Sequence, residues 1–313
     1  MDVVCLGILV ADVIARPVDT MPAAGSLGLV DEIEVHAGGC AVNVASALAA
    51  LGLDAGVVGK VGDDLFGDYL LGVLEERGVE RDGVLRDERV GTSASVVLVD
   101  RGGERTFLHV PGANADLTEE ELDPDLLYAG RALHLAGVLV MEGLDGEPFA
   151  GIAAEARRRG ILVSLDTVWD PTGRWSRLEP CLPHLDYALP SLAEGRALSG
   201  QKEAPEVAAW LRARGARNVL LTMGGEGCYA AGEGFEGSDG FEGPVSAPPI
   251  EAVDGTGAGD AFAAGVLYGA LAGRSLEQCA RLGCAAGAMA STVVGATLGG
   301  HGLADVLALA EVT

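Results

Sequence analysis

The stretch AVDGTGAGDAFAAGV, residues 252–266, sets four small residues, Gly255, Gly257, Ala258 and Gly259, between two aspartates, Asp254 and Asp260. An apolar run of helical character follows. The first N–H groups of a helix lack intrahelical partners and carry the positive end of its dipole. Gly257, Ala258 and Gly259 would therefore attract an anion or a developing negative charge. Asp260 stands at the same point, where its carboxylate can hydrogen-bond a hydroxyl and take its proton. A base beside an anion hole suits attack by an alcohol on a terminal phosphoryl group. The plainer alternative is an acidic helix cap, although capping alone needs no such density of glycine.

Two other stretches hold residues of the same kind. In GGCAVNVASALAALG, residues 38–52, Gly38 and Gly39 permit close backbone approach, and Asn43 can both donate and accept near a helix start. An ordinary glycine turn with Asn near the cap fits equally well. Asp12 follows the first strand, placed either to accept bonds from sugar hydroxyls or simply to be solvated in a turn. In LLTMGGEGCYA, residues 220–230, a buried strand runs into Thr222, Gly224, Gly225 and Gly227, whose N–H groups can fold over phosphate or ribose. That spacing matches neither a P-loop nor a dinucleotide fingerprint, and an ordinary hairpin would read the same way. The five histidines have no ligand or triad spacing, and Asp63-Asp64 and Glu119–Glu121 read as helix-start or surface acids.

These residues need elements to hold them. VVCLGILV is a continuous apolar run, as in a strand covered on both faces. LGLVDEIEVHAGG alternates around Ile33 and Val35, as in a strand with one wet face. NVASALAALG and DDLFGDYLLGVLEERG read as helices stopped by Gly52 and Gly78, with DAGVVGKVG as a buried strand between them. TSASVVLVDRGGERTFLHV is a hairpin about Asp100–Gly103. With the stretch around residues 28–36, it predicts a small sheet beside a larger body, suited to act as a lid. From about residue 124, the strands RALHLAGVLV, ILVSLDTVW, LDYALPS and RNVLLTMGG alternate with helices. That order implies an α/β fold with a parallel sheet and helices on both faces. Ligands in such folds sit beyond the carboxyl ends of the strands.

Composition narrows the partners. The 313 residues carry a formal charge of −25, which would repel a nucleic-acid backbone. Hydrophobic content of 49% supports a large core, built mainly from Ala, Val and Leu because aromatics make up 4%. No apolar run has the unbroken length of a membrane span, and the N-terminus lacks a basic leader. The six cysteines are scattered without metal-like spacing, as in reduced thiols. A soluble cytoplasmic protein is expected, with no nucleic-acid or membrane partner.

Taken together, the motifs resemble the ribokinase-like (PfkB) carbohydrate kinase family over nearly the whole chain. GGCAVNVASALAALGLDAGVVGKVGDDLFGDYLLGVLEERGV is similar to its N-terminal signature, and DGTGAGDAFAAGVLYGAL to its more specific C-terminal one. PGANADLT is similar to a segment at the edge of the ribokinase lid. The resemblance implies a three-layer αβα kinase domain over residues 1–313, with a mostly parallel central sheet and a β-sheet lid from about 11–36 and 91–112. It implies transfer of the γ-phosphoryl group of ATP, with Mg2+, to a hydroxyl of a small sugar or sugar acid. Asp260 would be the general base, and the N–H groups of Gly257, Ala258 and Gly259 the anion hole. Asp12, Gly38, Gly39 and Asn43 match sugar-binding positions. Thr222, Gly224 and Gly227 match the nucleotide loop, and Cys284 falls beside the adenine. Asp254 and Thr256, with carbonyls of Ala290, Val293 and Gly295, match a monovalent-cation site that would suit K+.

There are departures from the family pattern. The Asn-x-x-Glu motif appears as Ser191-Leu192-Ala193-Glu194. Glu194 can still orient Mg2+ through waters, while Ser191 is shorter than Asn at the phosphate. In DTVWDPTGRW an Asp-Pro-Asn-x-Arg pattern is blurred; Asp166 falls at a strand end, and Arg174 is open between an acidic substrate and a structural role. A nucleoside kinase of the same family is the near alternative, and a non-catalytic sugar- or nucleotide-sensing module a more distant one. The absence of an early Gly-x-Gly-x-x-Gly unit leaves a dinucleotide oxidoreductase least supported. A homodimer through the lid is the expected assembly.

Overall fold

The apolar N-terminal run forms the ends of two strands rather than one. In the computed structural model, which describes residues 1–312, β1 (Val3–Gly7) lies in a large sheet and β2 (Val10–Arg16) in a small one. Asn114 holds the crossing between them. Its Nδ2 donates to the Leu9 carbonyl at 2.9 Å, and its Oδ1 accepts from the Leu9 N–H at 3.1 Å. Both backbone groups of a buried residue that belongs to neither sheet are thereby satisfied. The split is invisible in the sequence because both halves are equally apolar.

The chain continues through β3 (Glu32–Gly38), α1 (Cys40–Ala50), β4 (Ala55–Gly62), α2 (Leu65–Glu76), β5 (Glu80–Asp87), β6 (Ala94–Val99) and β7 (Arg105–Val110). Short helices α3 (Gly112–Asp116) and α4 (Pro124–Leu127) lead to β8 (Ala132–Val138), α5 (Glu147–Arg158), β9 (Leu162–Thr167) and β10 (Tyr187–Ala188). Then come α6 (Leu192–Ser199), α7 (Ala204–Ala213), β11 (Asn218–Thr222), β12 (Cys228–Gly232), β13 (Phe241–Val245), α8 (Ala258–Leu271), α9 (Leu276–Ala290) and α10 (Leu303–Ala310).

The large sheet has the order β13-β12-β11-β10-β9-β8-β1-β4-β5. It is parallel from β11 to β5, and β12 and β13 complete it as antiparallel strands. Every residue of β1, β4 and β8 is buried, as a sheet covered on both faces requires. Alternation along β1 divides the interior: Val3 and Cys5 join one core with α1, α8 and α9, and Val4 and Leu6 join the other with α5 and α7. The ribokinase-like αβα architecture with a separate small sheet is thus present. The sequence gives little sign of β5, whose ERDGVLRD reads as a charged loop; it is an edge strand and needs only one neighbour.

Lys60 of β4 is 2% exposed and ion-paired with Asp87 at 2.9 Å, Asp116 at 2.9 Å and Glu121 at 2.8 Å. Burial works against its charge, but hydrogen bonds to Glu121, Asp87 and Asp116 outweigh burial and raise its pKa. Glu121 is the helix-start acid the sequence suggested, accepting from the Thr118 N–H at 3.0 Å, and it also closes a cage on this buried ammonium.

The small sheet has the order β3-β2-β6-β7. Register puts Asp12 opposite His36 and Ser95, and Ser95 opposite His109, so one row of polar residues crosses all four strands on one face. Ile33, Val35, Val96, Leu108 and Val110 occupy the other face, all exposed.

If Asn114 fixes the crossing between the sheets, Asn114→Ala leaves the Leu9 N–H and C=O buried and unpaired, a cost of roughly 1–3 kcal/mol. The expected outcome is a lower urea midpoint with unchanged far-ultraviolet circular dichroism. An unchanged midpoint would refute this role.

Candidate active site

Asp260 lies in the first turn of α8, which Gly257 caps. Gly257 has φ of 72°, and a Cβ there would run into Ala296, so the turn demands glycine. The Ala258 N–H is turned back onto the Gly255 carbonyl at 3.2 Å. Asn43, in the first turn of α1, reaches across from the other helix, and its Nδ2 donates to Asp260 Oδ2 at 2.8 Å. Asn43 Oδ1 is buried and has no hydrogen-bond partner among the described residues. An orphaned acceptor of this kind costs free energy that a ligand hydroxyl beside Asp260 would recover.

Burial raises the pKa of Asp260 to about 7, and the negative charge of Asp166 adds to the effect, while hydrogen bonds from Asn43 and Cys40 oppose it. Asp166 sits near the carboxyl end of β9 and accepts a hydrogen bond from the Gly137 N–H. Cys40 Sγ, an Asp166 oxygen and an Asp260 oxygen all lie within 4.8 Å of one another. Burial and then the charges of Asp260 and Asp166 hold the Cys40 thiol well above its ordinary pKa. It is a neutral hydrogen-bond donor here rather than a nucleophile.

In the stretch that leads into α1, Gly38 matters for its missing side chain: a Cβ there would collide with Asp12 Oδ2. Gly39 precedes α1 with φ of 91°, and its carbonyl accepts from the Asn43 N–H at 3.0 Å. Asp12, Gly38, Gly39, Asn43 and Asp260 thus form a continuous line from the small sheet to α8. Burial raises the Asp12 pKa, partly offset by Ser95, His109, His36 and Arg105. Ser95 Oγ in turn hydrogen-bonds His109 Nδ1 at 3.1 Å.

Beyond the Gly257–Gly259 turn lies a cleft of about 670 Å³. Thr222, Gly224 and Gly227 line it from the end of β11, Ala258 and Gly259 from α8, and Cys284 from α9. Cys284 Sγ also lies 3.7 Å from Cys228 Sγ, without a disulfide. Ser191 pairs with Thr222 in an isolated bridge, but its hydroxyl is spent at the start of α6. There Ser191 Oγ donates to Glu194 Oε2 at 2.7 Å and accepts from the Glu194 N–H at 3.2 Å. The Ser191 N–H and Thr167 Oγ1 donate to the same Glu194 oxygen, at 2.8 Å and 2.9 Å. Burial raises the Glu194 pKa, these donors lower it, and Asp166 raises it again.

Asp254 lies just before the Gly257–Gly259 turn. Its Oδ1 accepts from the Thr256 N–H at 2.9 Å and Thr256 Oγ1 at 2.7 Å, and its Oδ2 from the Gly295 N–H at 3.0 Å. Ala290 ends α9, and Val293 follows it in the loop that leads to Gly295. Arg105, from β7, donates to both Asp254 and Thr256. Burial would raise Asp254, but the Gly295, Thr256 and Arg105 donors hold it down at about 2.

Arg174 donates to Glu142 at 3.0 Å and 2.7 Å and to Thr172 at 2.7 Å, on the surface. Sequence reasoning missed Cys40, Ser95, His109 and Arg105 and gave Asp166 no role. For Asp166 a signal existed, a carboxylate at the end of a buried parallel strand. The others lie on strand faces or at a helix start with nothing local to mark them.

The model of the pfkB family carbohydrate kinases matches residues 1–300. A fructokinase of Klebsiella pneumoniae is 35% identical over 276 residues, covering 83% of this chain and 87% of the relative. The Arabidopsis thaliana ribokinase complexed with ribose and ATP superposes with a TM-score of 0.82 at 23% identity, covering 100% of this chain and 99% of that one. A putative ribokinase II from E. coli in complex with ATP and Mg2+ gives 0.83 at 20% identity, covering 99% of each.

The raised pKa of Asp260 carries a stability cost. The folded state holds a proton there between its ordinary value, 3.8, and about 7. The contribution of this group to stability is therefore full below about pH 4 and lost as pH rises through about 7. Asp260→Asn is expected to stabilise the protein at about pH 8 by roughly 1–4 kcal/mol, with the gain vanishing near pH 4. Melting curves across pH test this, and a variant no more stable at about pH 8 would contradict the burial cost.

Proposed function

This chain belongs to the pfkB family of carbohydrate kinases, phosphotransferases that act on a sugar hydroxyl, and on that premise we propose that it passes the γ-phosphoryl group of ATP to a small sugar or sugar acid with Asp260 as general base. The observation that carries this reading is the Asn43–Asp260 pair. It joins a polar sugar-facing row to a nucleotide-sized cleft, and it leaves one buried acceptor, Asn43 Oδ1, for a hydroxyl.

In this mechanism Asn43 Oδ1 and Asp12 orient the acceptor, with the reacting hydroxyl against Asp260. As the hydroxyl oxygen attacks the γ-phosphorus, its proton passes to Asp260 and the bond to the β-phosphate oxygen breaks, releasing ADP. The N–H groups of Gly257, Ala258 and Gly259 face the transferring group, where preorganised donors stabilise developing charge. The Ala258 N–H must leave the Gly255 carbonyl to join them. Thr222, Gly224, Gly227 and Cys284 contact the nucleotide, and Ser191 stands behind them through Glu194. Asp166, Asp260 and Glu194 share one low-dielectric region, and that repulsion favours a divalent cation. Glu194 would hold Mg2+ through waters, and the ion would neutralise charge on the phosphate oxygens.

The chain works in this reading as one kinase unit, with residues 11–36 and 91–112 as a lid that closes over the sugar and excludes water. The exposed apolar outer face of that lid is covered by a second copy in a homodimer. All six cysteines are free thiols, which accords with a cytoplasmic setting. No helix among the described residues is long and apolar enough to cross a membrane.

The test is ADP release with MgATP across fructose, ribose, 2-keto-3-deoxygluconate and adenosine. Fructose heads the panel because the Klebsiella relative is a fructokinase. Turnover with a sugar is expected, and preference for adenosine would favour the nucleoside reading. Asp260→Asn is expected to lower kcat by about 10²–10⁴-fold with the fold intact. For the wild type, kcat/KM should rise about tenfold per pH unit to a plateau above about pH 7, because the base must be ionised in the free enzyme. An active Asp260→Asn variant would overturn the assignment.

A further inference from the structure

Arg105 sits on the lid strand β7, in register with Val99 and on the same face as Asp12. Its Nη2 donates to Asp254 Oδ1 at 2.6 Å, and its Nη1 donates to Thr256 Oγ1. The side chain of Asp254 is 7% exposed and that of Arg105 28%. The bridge therefore spans from the lid to the turn that carries Gly257, Ala258 and Gly259. These partners are 149 and 151 residues away in sequence.

This arrangement does not suit a monovalent cation at Asp254 and Thr256. Asp254 Oδ1 already accepts from Thr256 and Arg105, and Oδ2 accepts from the Gly295 N–H. Thr256 Oγ1 points its own hydrogen at Asp254 while accepting from Arg105. A second positive charge would meet the guanidinium with no carboxylate left to neutralise. Resting on the kinase reading above, we propose that Arg105 is a positioning residue that does the work of a monovalent cation. It neutralises Asp254 and fixes the anion-hole turn, so turnover needs no K+. Because the cation is a lid side chain, the hole is braced only while the lid is in place.

Removing the guanidinium takes away the ion-pair partner of Asp254 while its Thr256 and Gly295 donors remain, leaving a vacancy that a small cation can fill. The test compares wild type, Arg105→Met and Arg105→Lys in KCl and in choline chloride at equal ionic strength. Both ADP release and melting temperature are read. Wild-type kcat is expected to differ by less than about twofold between the salts, whereas Arg105→Met loses at least about tenfold in choline, a misplacement effect. Arg105→Met should recover part of that loss in KCl or in low-millimolar guanidinium chloride, and Arg105→Lys should retain more activity than Arg105→Met. KCl should raise the melting temperature of Arg105→Met and leave that of the wild type unmoved. Strong K+ stimulation of the wild type, or wild-type kcat in Arg105→Met, would overturn the proposal. The melting arm needs no turnover, so lack of ADP release with every acceptor counts against the kinase reading alone, while equal K+ stabilisation of both proteins counts against Arg105.

Discussion

The site depends on one hydrogen bond between two helices, Asn43 Nδ2 to Asp260 Oδ2 at 2.8 Å. A carboxylate buried deeply enough to bind protons near neutrality needs a donor to hold its orientation, and that donor must leave room for the acceptor. Asn43 meets both needs, giving its amide N–H to Asp260 and keeping its carbonyl oxygen unpaired among the described residues. The helices that carry the two residues lie on the same face of the parallel sheet and share one core. The orientation of the Asp260 carboxyl group is therefore set by helices packed in that core rather than by a flexible loop.

Two electrostatic environments meet at the N-terminus of α8. On one side Asp260 and Glu194 are buried beside Asp166; burial raises the pKa of both, and the Asp166 charge adds to it. On the other side Asp254 is held down at about 2 by donors from three parts of the chain. Five residues separate a carboxyl group whose pKa is raised to about 7 from one held ionised at about 2. Burial pushes both upward and is the largest force on Asp260, where a like charge adds to it; at Asp254 convergent N–H groups and a guanidinium outweigh it.

The glycine-bearing stretches were legible because their chemistry is local. Gly257 requires a positive φ, Gly38 a close approach, and Asn43 and Asp260 lie within a turn of helix starts that composition marks. The alternation of strands and helices after residue 124 was legible for the same reason, and it placed the loops at one edge of the sheet. The break between β1 and β2 was not, because Asn114, which holds it, lies 105 residues from Leu9. Arg105 was hidden as well: in a hairpin strand it reads as one residue of an alternation, and its partners are fixed only by how the two sheets meet. Ser191 shows a further limit, since a motif position can be filled by a residue whose hydroxyl is committed to capping its own helix.

The central claim is that burial and the neighbouring charge of Asp166 tune Asp260 into a base. A carbon-13 NMR titration of the Asp260 carboxyl group, in the wild type and in Asp166→Asn, tests it most directly. The expected midpoint is about 7 in the wild type and lower in the variant, since removing the Asp166 charge removes part of the upward push. A wild-type midpoint in the ordinary range of about 4, or one that Asp166→Asn leaves in place, would contradict it.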